Sequence, residues 1–220
     1  MRGILITFEG VEGSGKTTQM LRLERALRRR GLRVERTREP DGTVLGAAVR
    51  RLFERPGVRP EPLVEVFLFM AARHQHVAEK IRPWLRRGRV VLCDRYTDAT
   101  VAYQGYGRGV DPDLIRELNV RATGGVLPDL TLVFDLSPEE GLQRIGRRRL
   151  DHFERLNLGA RLLPPEATYV AWVDADTHFA RYDWADDDPA AAALPDRADV
   201  VGDARRRHSA RAGRQEPELR

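Results

Sequence analysis

The sequence predicts an α/β fold in which helices cover both faces of a parallel β-sheet. Short apolar runs rich in β-branched residues alternate with longer stretches that have helical spacing. Gly31 and Gly88 also stand where the C-termini of two of these helices are expected. Strands that alternate with helices are joined by crossovers, which build parallel sheets buried on both faces. A three-layer αβα arrangement follows.

The individual elements are predicted from these periodicities. Four apolar runs are expected to be strands, at residues 4–8, 34–37, 90–93 and 130–134. Five stretches have helical spacing, at residues 17–30, 44–53, 63–87, 113–122 and 138–149. After residue 154 the alternation degrades. We expect residues 1–203 to form one domain, atypical after residue 155, and the Arg-rich residues 204–220 to be a disordered tail.

Composition and charge limit the class of protein. The chain has 220 residues, of which 41% are hydrophobic and 32% charged, as in ordinary globular proteins. Its net charge of +5 would admit a nucleic-acid partner, but no module of interleaved aromatic and basic residues accompanies it. The single cysteine, Cys93, excludes an internal disulfide. Without a signal-peptide core or an apolar membrane span, we expect a cytoplasmic protein with no membrane partner.

A glycine-rich motif lies between the first predicted strand and helix. Residues 10–17 fit G-x-x-x-x-G-K-[ST], the phosphate-binding P-loop, in the strand-to-helix context that this motif requires. The glycines let backbone N–H groups converge on phosphate oxygens, and the helix directs its positive end at the same anion. We therefore predict a site for ATP or GTP at Gly10, Val11, Glu12, Gly13, Ser14, Gly15, Lys16, Thr17 and Thr18.

Two side chains of this motif have specific predicted roles. Lys16 should reach the β- and γ-phosphates, and the Thr17 hydroxyl should hold Mg²⁺. Lys16 and Lys80 are the only lysines in a chain that otherwise uses arginine for positive charge. A compact ammonium fits inside the loop, whereas a guanidinium does not.

Further motifs resemble bacterial thymidylate kinases over residues 3–154, in the family's order. They are Arg38-Glu39-Pro40-Asp41-Gly42-Thr43, Phe69-Met70-Ala71-Ala72-Arg73, Asp94-Arg95-Tyr96, Thr100-Val101-Ala102-Tyr103-Gln104-Gly105 and Pro128-Asp129-Leu130-Thr131-Leu132. The resemblance implies a five-stranded sheet with a short helical lid at about residues 144–158. It also implies Mg²⁺-dependent transfer of the ATP γ-phosphoryl group to dTMP, a pyrimidine deoxynucleoside monophosphate, to give dTDP, by a homodimer. A cis Glu39-Pro40 peptide is a further implication.

The resemblance assigns residues to the acceptor nucleotide. Phe69 would stack on the thymine, Arg73 would donate to its carbonyl edge, and Thr100 and Gln104 would line the same base. Tyr103 would pack beside the sugar and disfavour a 2′-hydroxyl. Without the resemblance, Phe69 could equally be a core residue.

Other residues are assigned to phosphates and metal. Arg95 would hold the acceptor phosphate as a bidentate fork, with Arg38 nearby. Glu12 would reach the acceptor sugar or a metal-bound water. Asp94, at the carboxyl end of a strand, would orient Mg²⁺ directly or through its waters.

The resemblance implies that the lid supplies a catalytic arginine and that the P-loop has none, and this sequence agrees, because Val11, Glu12 and Ser14 are not basic. The arginine run could instead be a solvated charged face. Arg147, Arg148 and Arg149 are adjacent, so on a helix they point about 100° apart and cannot all face the phosphates. Arg148 shares a face with Arg144, and we predict Arg148 as the main contact with Arg144 in support.

Departures from the family pattern keep other functions open. Asp41 replaces a usual glycine, Ala99 a usual serine and His152 a usual arginine. The alternatives are another nucleoside or nucleotide kinase, a catalytically weakened nucleotide-binding regulator, and a nucleic-acid-dependent ATPase. Acceptor-dependent ADP release separates the first two from the predicted activity, and DNA-stimulated hydrolysis tests the third.

Overall fold

The computed structural model describes residues 2–145 and 170–174. Most of the predicted lid, including Arg147, Arg148 and Arg149, therefore lies outside the described residues, as does the predicted tail at residues 204–220. Within the described part, the predicted α/β fold with a parallel sheet is confirmed.

The sheet has the order β2-β3-β1-β4-β5, and every neighbouring pair is parallel. The strands are β1 (Ile4–Gly10), β2 (Val34–Arg38), β3 (Val90–Asp94), β4 (Leu130–Asp135) and β5 (Val170–Asp174). The first four occur where the apolar runs predict them. β5 lies in the region where the sequence pattern degrades, and no sequence signal located it.

Parallel pairing places three motifs at one edge of the sheet. In the register of β1 and β3, Ile4 is opposite Val90 and Phe8 is opposite Asp94. The glycine-rich loop after β1 and the Arg95 turn after β3 therefore leave the sheet side by side. The Glu39-Pro40 peptide after β2 is cis, as predicted. Ligand sites of open α/β sheets lie at this carboxyl edge.

The central strands are buried on both faces because helices pack on each side. One cluster joins Phe8, Leu92 and Phe134 to Met20 of α1 (Lys16–Arg29). The opposite cluster joins Leu5, Val91, Val77, Ile81 and Leu85, and its last three residues come from the long helical stretch before β3. Burial on both faces explains why these strands read as continuous apolar runs.

The remaining helices agree with the predicted positions, with one omission. They are α2 (Val44–Glu54), α3 (Pro62–His76), α4 (Arg82–Arg86), α5 (Thr97–Thr100), α6 (Pro112–Thr123) and α7 (Pro138–Ile145). A π-helical turn, Val77–Ile81, joins α3 to α4, so the stretch predicted as one helix is continuous. The omission is α5 with the π-helical turn Val101–Tyr106 that follows it.

Local chemistry explains two of these features. Thr43 caps α2, because its hydroxyl accepts a hydrogen bond from the Gly46 N–H at 3.1 Å. The segment 97–106 escapes sequence periodicity because a π-helical turn departs from the 3.6-residue repeat and Thr100 through Gly105 are all buried. No helix in the described residues has the length and apolarity needed to cross a membrane.

Candidate active site

The glycine-rich loop has the backbone of a phosphate cradle. Gly10, Gly13 and Gly15 have φ angles of 134°, 77° and 89°, a region that residues with a Cβ rarely adopt. A Cβ on Gly13 would also meet the carbonyl oxygen of Gly141 in α7. α1 begins at Lys16 with no side-chain hydrogen bond from its N-cap, Gly15. The first N–H groups of α1 therefore remain available to an anion.

Lys16 is turned into the loop. Its Nζ donates to the carbonyl oxygens of Gly10 at 3.0 Å and Val11 at 2.7 Å, and only 5% of the residue is exposed. Burial and the neighbouring Arg95 lower the pKa of Lys16 from 10.5 to about 8, against the opposing effect of nearby carboxylates. Two phosphates of a nucleotide would raise the pKa of Lys16 again, because anions favour an ammonium.

Thr17 and Asp94 present hard oxygen atoms side by side. The Thr17 hydroxyl donates to Oδ2 of Asp94 at 3.2 Å. Oδ1 of Asp94 is buried and has no hydrogen-bond partner among the described residues. Mg²⁺ takes one or two protein oxygens together with water and phosphate oxygens, so this pair fits the predicted metal. Among the described residues, no cluster of three or more His, Cys, Asp or Glu side chains could hold a metal alone.

Arg95 is aimed at the loop by an unusual backbone. Its φ angle of 66° is the only positive one among the described non-glycine residues. Its guanidinium donates to Gly10 O at 3.2 Å, the Tyr103 hydroxyl at 3.0 Å and Glu12 Oε1 at 3.1 Å. Burial disfavours the cation, yet Tyr103 and the carboxylates of Glu12 and Asp94 hold the pKa of Arg95 above its ordinary value. Arg95 therefore stays charged.

Glu9 was not predicted from the sequence. It is the penultimate residue of β1 and is 2% exposed, and its Oε1 accepts the Tyr96 N–H at 2.8 Å. Burial, reinforced by the negative charge of Asp98, raises the pKa of Glu9 from 4.5 to about 8. A neutral carboxyl here adds no negative charge beside bound phosphates. The sequence signal was available, because a lone acid ends an otherwise apolar strand next to the glycine loop.

Arg73 lies in a buried network beside the loop. Its guanidinium donates to Glu39 Oε2 at 2.8 Å, Asn119 Oδ1 at 2.5 Å, Tyr96 O at 2.8 Å and Thr100 Oγ1 at 3.0 Å. Only 2% of Arg73 is exposed. The network fixes the plane of the guanidinium.

His76 extends this network behind Glu39. Its Nδ1 lies 3.1 Å from Glu39 Oε1, and its Nε2 lies 2.6 Å from the Thr37 hydroxyl. Burial opposes ionisation of Glu39, but Arg73 and His76 hold its pKa below the ordinary value. His76 is thus a structural group, fully buried in the protein.

The other predicted base residues line the same region. Phe69 is half-buried and stacks on Phe53, with ring centroids 5.4 Å apart and planes at 8°. Thr100 and Gln104 are both buried, and Gln104 Nε2 donates to Glu65 Oε2 at 3.2 Å. Glu65 is a second residue that sequence reasoning missed, because an acid on an apolar helix looks like a solvated surface residue.

Two predicted residues, Arg38 and Arg144, are exposed, although the backbone of Arg38 lies opposite Asp94 in the register of β2 and β3. Arg38 is exposed and forms an ion pair with Asp41. That pair partly neutralises the carboxylate of Asp41, the residue that replaces a usual glycine of the family pattern. Arg144 is exposed in the last turn of α7, and Arg148 lies outside the described residues. The structure thus brings together the loop, Asp94, Arg95, Tyr103 and the Arg73 network.

A phosphate cradle at the carboxyl edge of a parallel sheet, with helices on both faces, defines a P-loop nucleotide-binding protein. The thymidylate kinase family model matches residues 8–160. The chain belongs to the thymidylate kinase family.

Individual relatives agree with this assignment. The chain is 51% identical over 158 residues to a thymidylate kinase of Deinococcus radiodurans, covering 71% of this chain and 77% of that protein. It is 47% identical over 190 residues to a thymidylate kinase of Solidesulfovibrio magneticus, covering 78% of this chain and 91% of that protein. The crystal structure of thymidylate kinase from Ehrlichia chaffeensis superimposes with a TM-score of 0.58 at 42% identity, covering 66% of this chain and 83% of that one.

Proposed function

We propose that the glycine-rich loop, Arg95 and the Arg73 network form one site that transfers the γ-phosphoryl group of ATP to dTMP. The chain is a phosphotransferase of the thymidylate kinase family, and the product is dTDP. The observation that supports the residue roles is the junction at Arg95. The Arg95 guanidinium donates to the carbonyl oxygen of Gly10 in the loop. The next residue, Tyr96, accepts from Arg73 through its own carbonyl oxygen, so these two adjacent residues join the loop to the Arg73 network.

The chemistry requires cations more than it requires a base. An acceptor phosphate is already ionised, so its oxygen can attack the γ-phosphorus without prior proton removal. The obstacle is repulsion between two anionic substrates, together with the need for in-line approach. Lys16 neutralises the β- and γ-phosphates, and Arg95 holds the acceptor phosphate as a bidentate fork.

Ligand binding must release hydrogen bonds that Lys16 and Arg95 make within the protein. Lys16 now donates to two loop carbonyls, and Arg95 donates to Glu12 and Gly10. Phosphate oxygens are stronger acceptors for both cations than neutral carbonyls are. We therefore infer that both side chains reorient onto the substrates, and that Glu12 is freed to reach the acceptor sugar or a metal-bound water.

The proposal includes Mg²⁺ as the partner of ATP. The Thr17 hydroxyl and the unpaired Oδ1 of Asp94 would hold it, directly or through water. When bound, the ion supplies charge neutralisation at the phosphate oxygens. Thr17 and Asp94 orient it, while Lys16 acts on the same oxygens from the loop side.

A lid arginine completes the proposed cation set. The described loop contributes Lys16 but no arginine of its own. α7, whose Gly141 lies beside Gly13 of the loop, ends at Ile145, just before the arginines in the sequence. Arg148 remains our candidate for the transition-state contact, with Arg144 in support. Arg148→Ala should lower kcat by about 10³-fold with little change in the KM for ATP, because the contact forms mainly as the lid closes.

The matched measurements cover all four arginines of this stretch. Single alanine variants at positions 144, 147, 148 and 149 are compared by kcat and by both KM values. Normal kcat in all four would contradict a catalytic lid.

One assay tests the proposed function directly. ADP release from Mg-ATP is measured against a panel of dTMP, dUMP, dCMP, dAMP and dGMP. We expect turnover that depends on the acceptor and is fastest with dTMP. Preference for another acceptor would indicate a different nucleotide kinase, and nucleotide binding without acceptor-dependent turnover would indicate a weakened, regulatory protein.

We also propose that the protein is a homodimer. α2 and the first half of α3 each expose apolar side chains: Val44 and Leu45 on α2, and Leu63, Val64 and Phe67 on α3. Val44 is 85% exposed and Phe67 52% exposed, which is unusual for a surface without a partner. A second copy of the same face would bury both sets by two-fold symmetry.

The oligomeric state follows from mass measured in solution. Light scattering should give twice the chain mass of 25.0 kDa for the wild type. Phe67→Asp should shift the mass to one chain, because it would bury a charge in the interface. A monomeric wild type would refute the dimer.

A further inference from the structure

Two helical faces meet across the proposed base site. Glu65, Phe69 and Arg73 lie four residues apart on α3 and so share one side of that helix. Thr100, the last residue of α5, and Gln104, in the π-helical turn that follows, lie across from that side of α3. Arg73 Nη2 donates to Thr100 Oγ1 at 3.0 Å, and Gln104 Nε2 donates to Glu65 Oε2 at 3.2 Å. These hydrogen bonds link the faces on either side of Phe69.

Glu65 is held as a buried carboxylate. It is 0% exposed, and its Oε1 accepts from Arg108 Nη2 at 2.9 Å. Arg108 is anchored in turn by the Pro60 carbonyl at 3.3 Å. A carboxylate can only accept hydrogen bonds, and both oxygens of Glu65 accept one here.

This acceptor fixes the orientation of the Gln104 amide. The amide has one NH₂ group and one carbonyl oxygen, and only the NH₂ group can face Glu65. The carbonyl Oε1 is therefore the group that Gln104 can offer to a ligand. Reversing the amide would set two acceptors against each other inside the protein, where an unpaired polar group costs most.

We propose that Glu65 is a specificity-determining residue that acts through Gln104 to select thymine over a 4-aminopyrimidine. Thymine carries a donor at N3–H and an acceptor at O4. The Gln104 carbonyl matches that donor, and Arg73 matches that acceptor. Cytosine carries an acceptor at N3 and a donor at the 4-amino group, so both contacts are mismatched. This inference rests on the proposed function, since it requires a pyrimidine acceptor at this site.

The experiment compares dTMP with 5-methyl-dCMP, which differs from dTMP only at N3 and C4 of the base. The readout is the ratio of the two kcat/KM values, or of inhibition constants where 5-methyl-dCMP is not turned over. The wild type should prefer dTMP by at least about 100-fold, because a site built around hydrogen bonds rejects a mismatched analogue strongly.

Glu65→Gln should reduce the preference for dTMP over 5-methyl-dCMP by about tenfold. The Gln104 amide then loses its hydrogen bond to a charged group, which is stronger than one to a neutral group. The new amide can accept or donate, so Gln104 can turn either way. A merely structural role for Glu65 would weaken both acceptors equally and leave the ratio unchanged, which would overturn the proposal. Glu61→Gln, an exposed glutamate one turn earlier on the chain, is the matched control and should leave the ratio at its wild-type value.

A double-mutant cycle tests the route through Gln104. In a Gln104→Leu background, Glu65→Gln should cause no further change in the ratio, because no amide remains to be oriented. A second shift of the same size would overturn the route.

Arg108→Gln keeps the proposal testable if Glu65→Gln does not fold. Arg108 is 29% exposed and easier to replace, and its loss weakens the anchor of Glu65. The expected narrowing is about threefold, and an unchanged ratio would overturn the proposal. A wild type that turns over no acceptor would instead remove the proposed function and this inference with it.

Discussion

The phosphate cradle differs from the proposed base site around Phe69, Arg73, Thr100 and Gln104, called the base pocket below. The difference lies in how the charged side chain of each region is held. Lys16 in the cradle donates to loop carbonyls that a nucleotide must displace. Arg73 in the base pocket is bound by the partners Glu39, Asn119 and Thr100, which are fixed by the fold. We therefore expect the cradle to change its hydrogen bonds when ligands bind, whereas the Arg73 network already has its partners.

This difference follows from what each region must recognise. Phosphates are the same in every nucleotide and demand charge, which mobile cations provide. A base is distinguished by the positions of a few donors and acceptors, which requires groups whose orientation is fixed. The pKa shifts of the buried charged groups accordingly differ between the two regions. Lys16 has a pKa lowered to about 8, while Glu39 has a pKa below its ordinary value.

Removing the cradle ammonium should have the largest effect on catalysis. Lys16→Ala is expected to lower kcat by at least about 10³-fold, because Lys16 supplies the point charge beside the transferred group. Stability should hardly change, since a buried ammonium with a lowered pKa contributes little to folding. The measurements are ADP release with dTMP and urea unfolding at pH 7.

The only other lysine provides the control for that change. Lys80→Ala removes the same side chain from the π-helical turn between α3 and α4. It should leave kcat at its wild-type value. Equal turnover in Lys16→Ala and the wild type would show that the cradle works without its lysine. It would also contradict the proposed difference between the cradle and the base pocket.

Removing the fixed guanidinium should affect folding as well as activity. Arg73→Met leaves the buried Glu39 carboxylate without its ion-pair partner, which costs about 3–5 kcal/mol in the free energy of unfolding. Arg121→Met breaks an exposed pair with Glu117 and should cost less than about 1 kcal/mol. Urea unfolding at 25 °C measures both variants. Similar costs would mean that the base pocket is no more fixed than the surface.

The pH dependence of stability tests the buried acid beside the cradle. The pKa of Glu9 rises from 4.5 in the unfolded chain to about 8 in the folded protein, so the folded state binds the extra proton. This contribution is fully present below pH 4.5 and is lost as the pH rises through 8. Between pH 5 and pH 8, wild type should lose on the order of 1–3 kcal/mol relative to Glu9→Gln.

The Glu9→Gln variant isolates this titration. Its neutral amide imitates the protonated acid, and its carbonyl oxygen can still accept the Tyr96 N–H. Unfolding in urea at pH 5, 6, 7 and 8 gives the difference between the two proteins, from which the histidine titrations cancel. Parallel profiles would show that Glu9 is ionised in the folded protein at neutral pH.

The smallest effect is expected at the aromatic side of the base pocket. Phe69→Ala should raise the KM for dTMP about tenfold with little change in kcat, because stacking contributes similarly before and during transfer. Phe53→Ala removes the ring that stacks on Phe69 and should destabilise the fold with a smaller effect on KM. A selective loss of kcat in Phe69→Ala would indicate a positioning role instead.

The sequence predicts the cradle better than the base pocket, for a physical reason. Gly10, Gly15 and Lys16 are close in the chain, so their spacing is visible as a motif. Glu39, Arg73 and Asn119 are far apart in sequence and meet only through the packing of β2, α3 and α6. The family resemblance assigned Arg73 to the base, but it did not supply the residues that hold it.

Buried acids were missed for a related reason. Glu9 and Glu65 look alike in composition to exposed glutamates, since burial depends on contacts that periodicity does not encode. β5 was missed because it lies beyond the region of regular alternation. The four strands before it were predicted within two residues at each end. Burial on both faces leaves a nearly continuous apolar run in β1, β3 and β4, whereas only Val34 and Thr37 are buried in the edge strand β2.

Selection for stability and selection for activity should act in opposite directions at Arg95, because its backbone is left-handed. A side chain at a φ of 66° costs about 1–2 kcal/mol, which a glycine would avoid. A library screened for heat resistance alone would therefore be expected to enrich Arg95→Gly. The same library screened for growth that depends on this enzyme would discard it, because no other arginine contacts both Gly10 and Glu12 in the described part of the chain. The position should thus evolve slowly even where folding would favour its replacement.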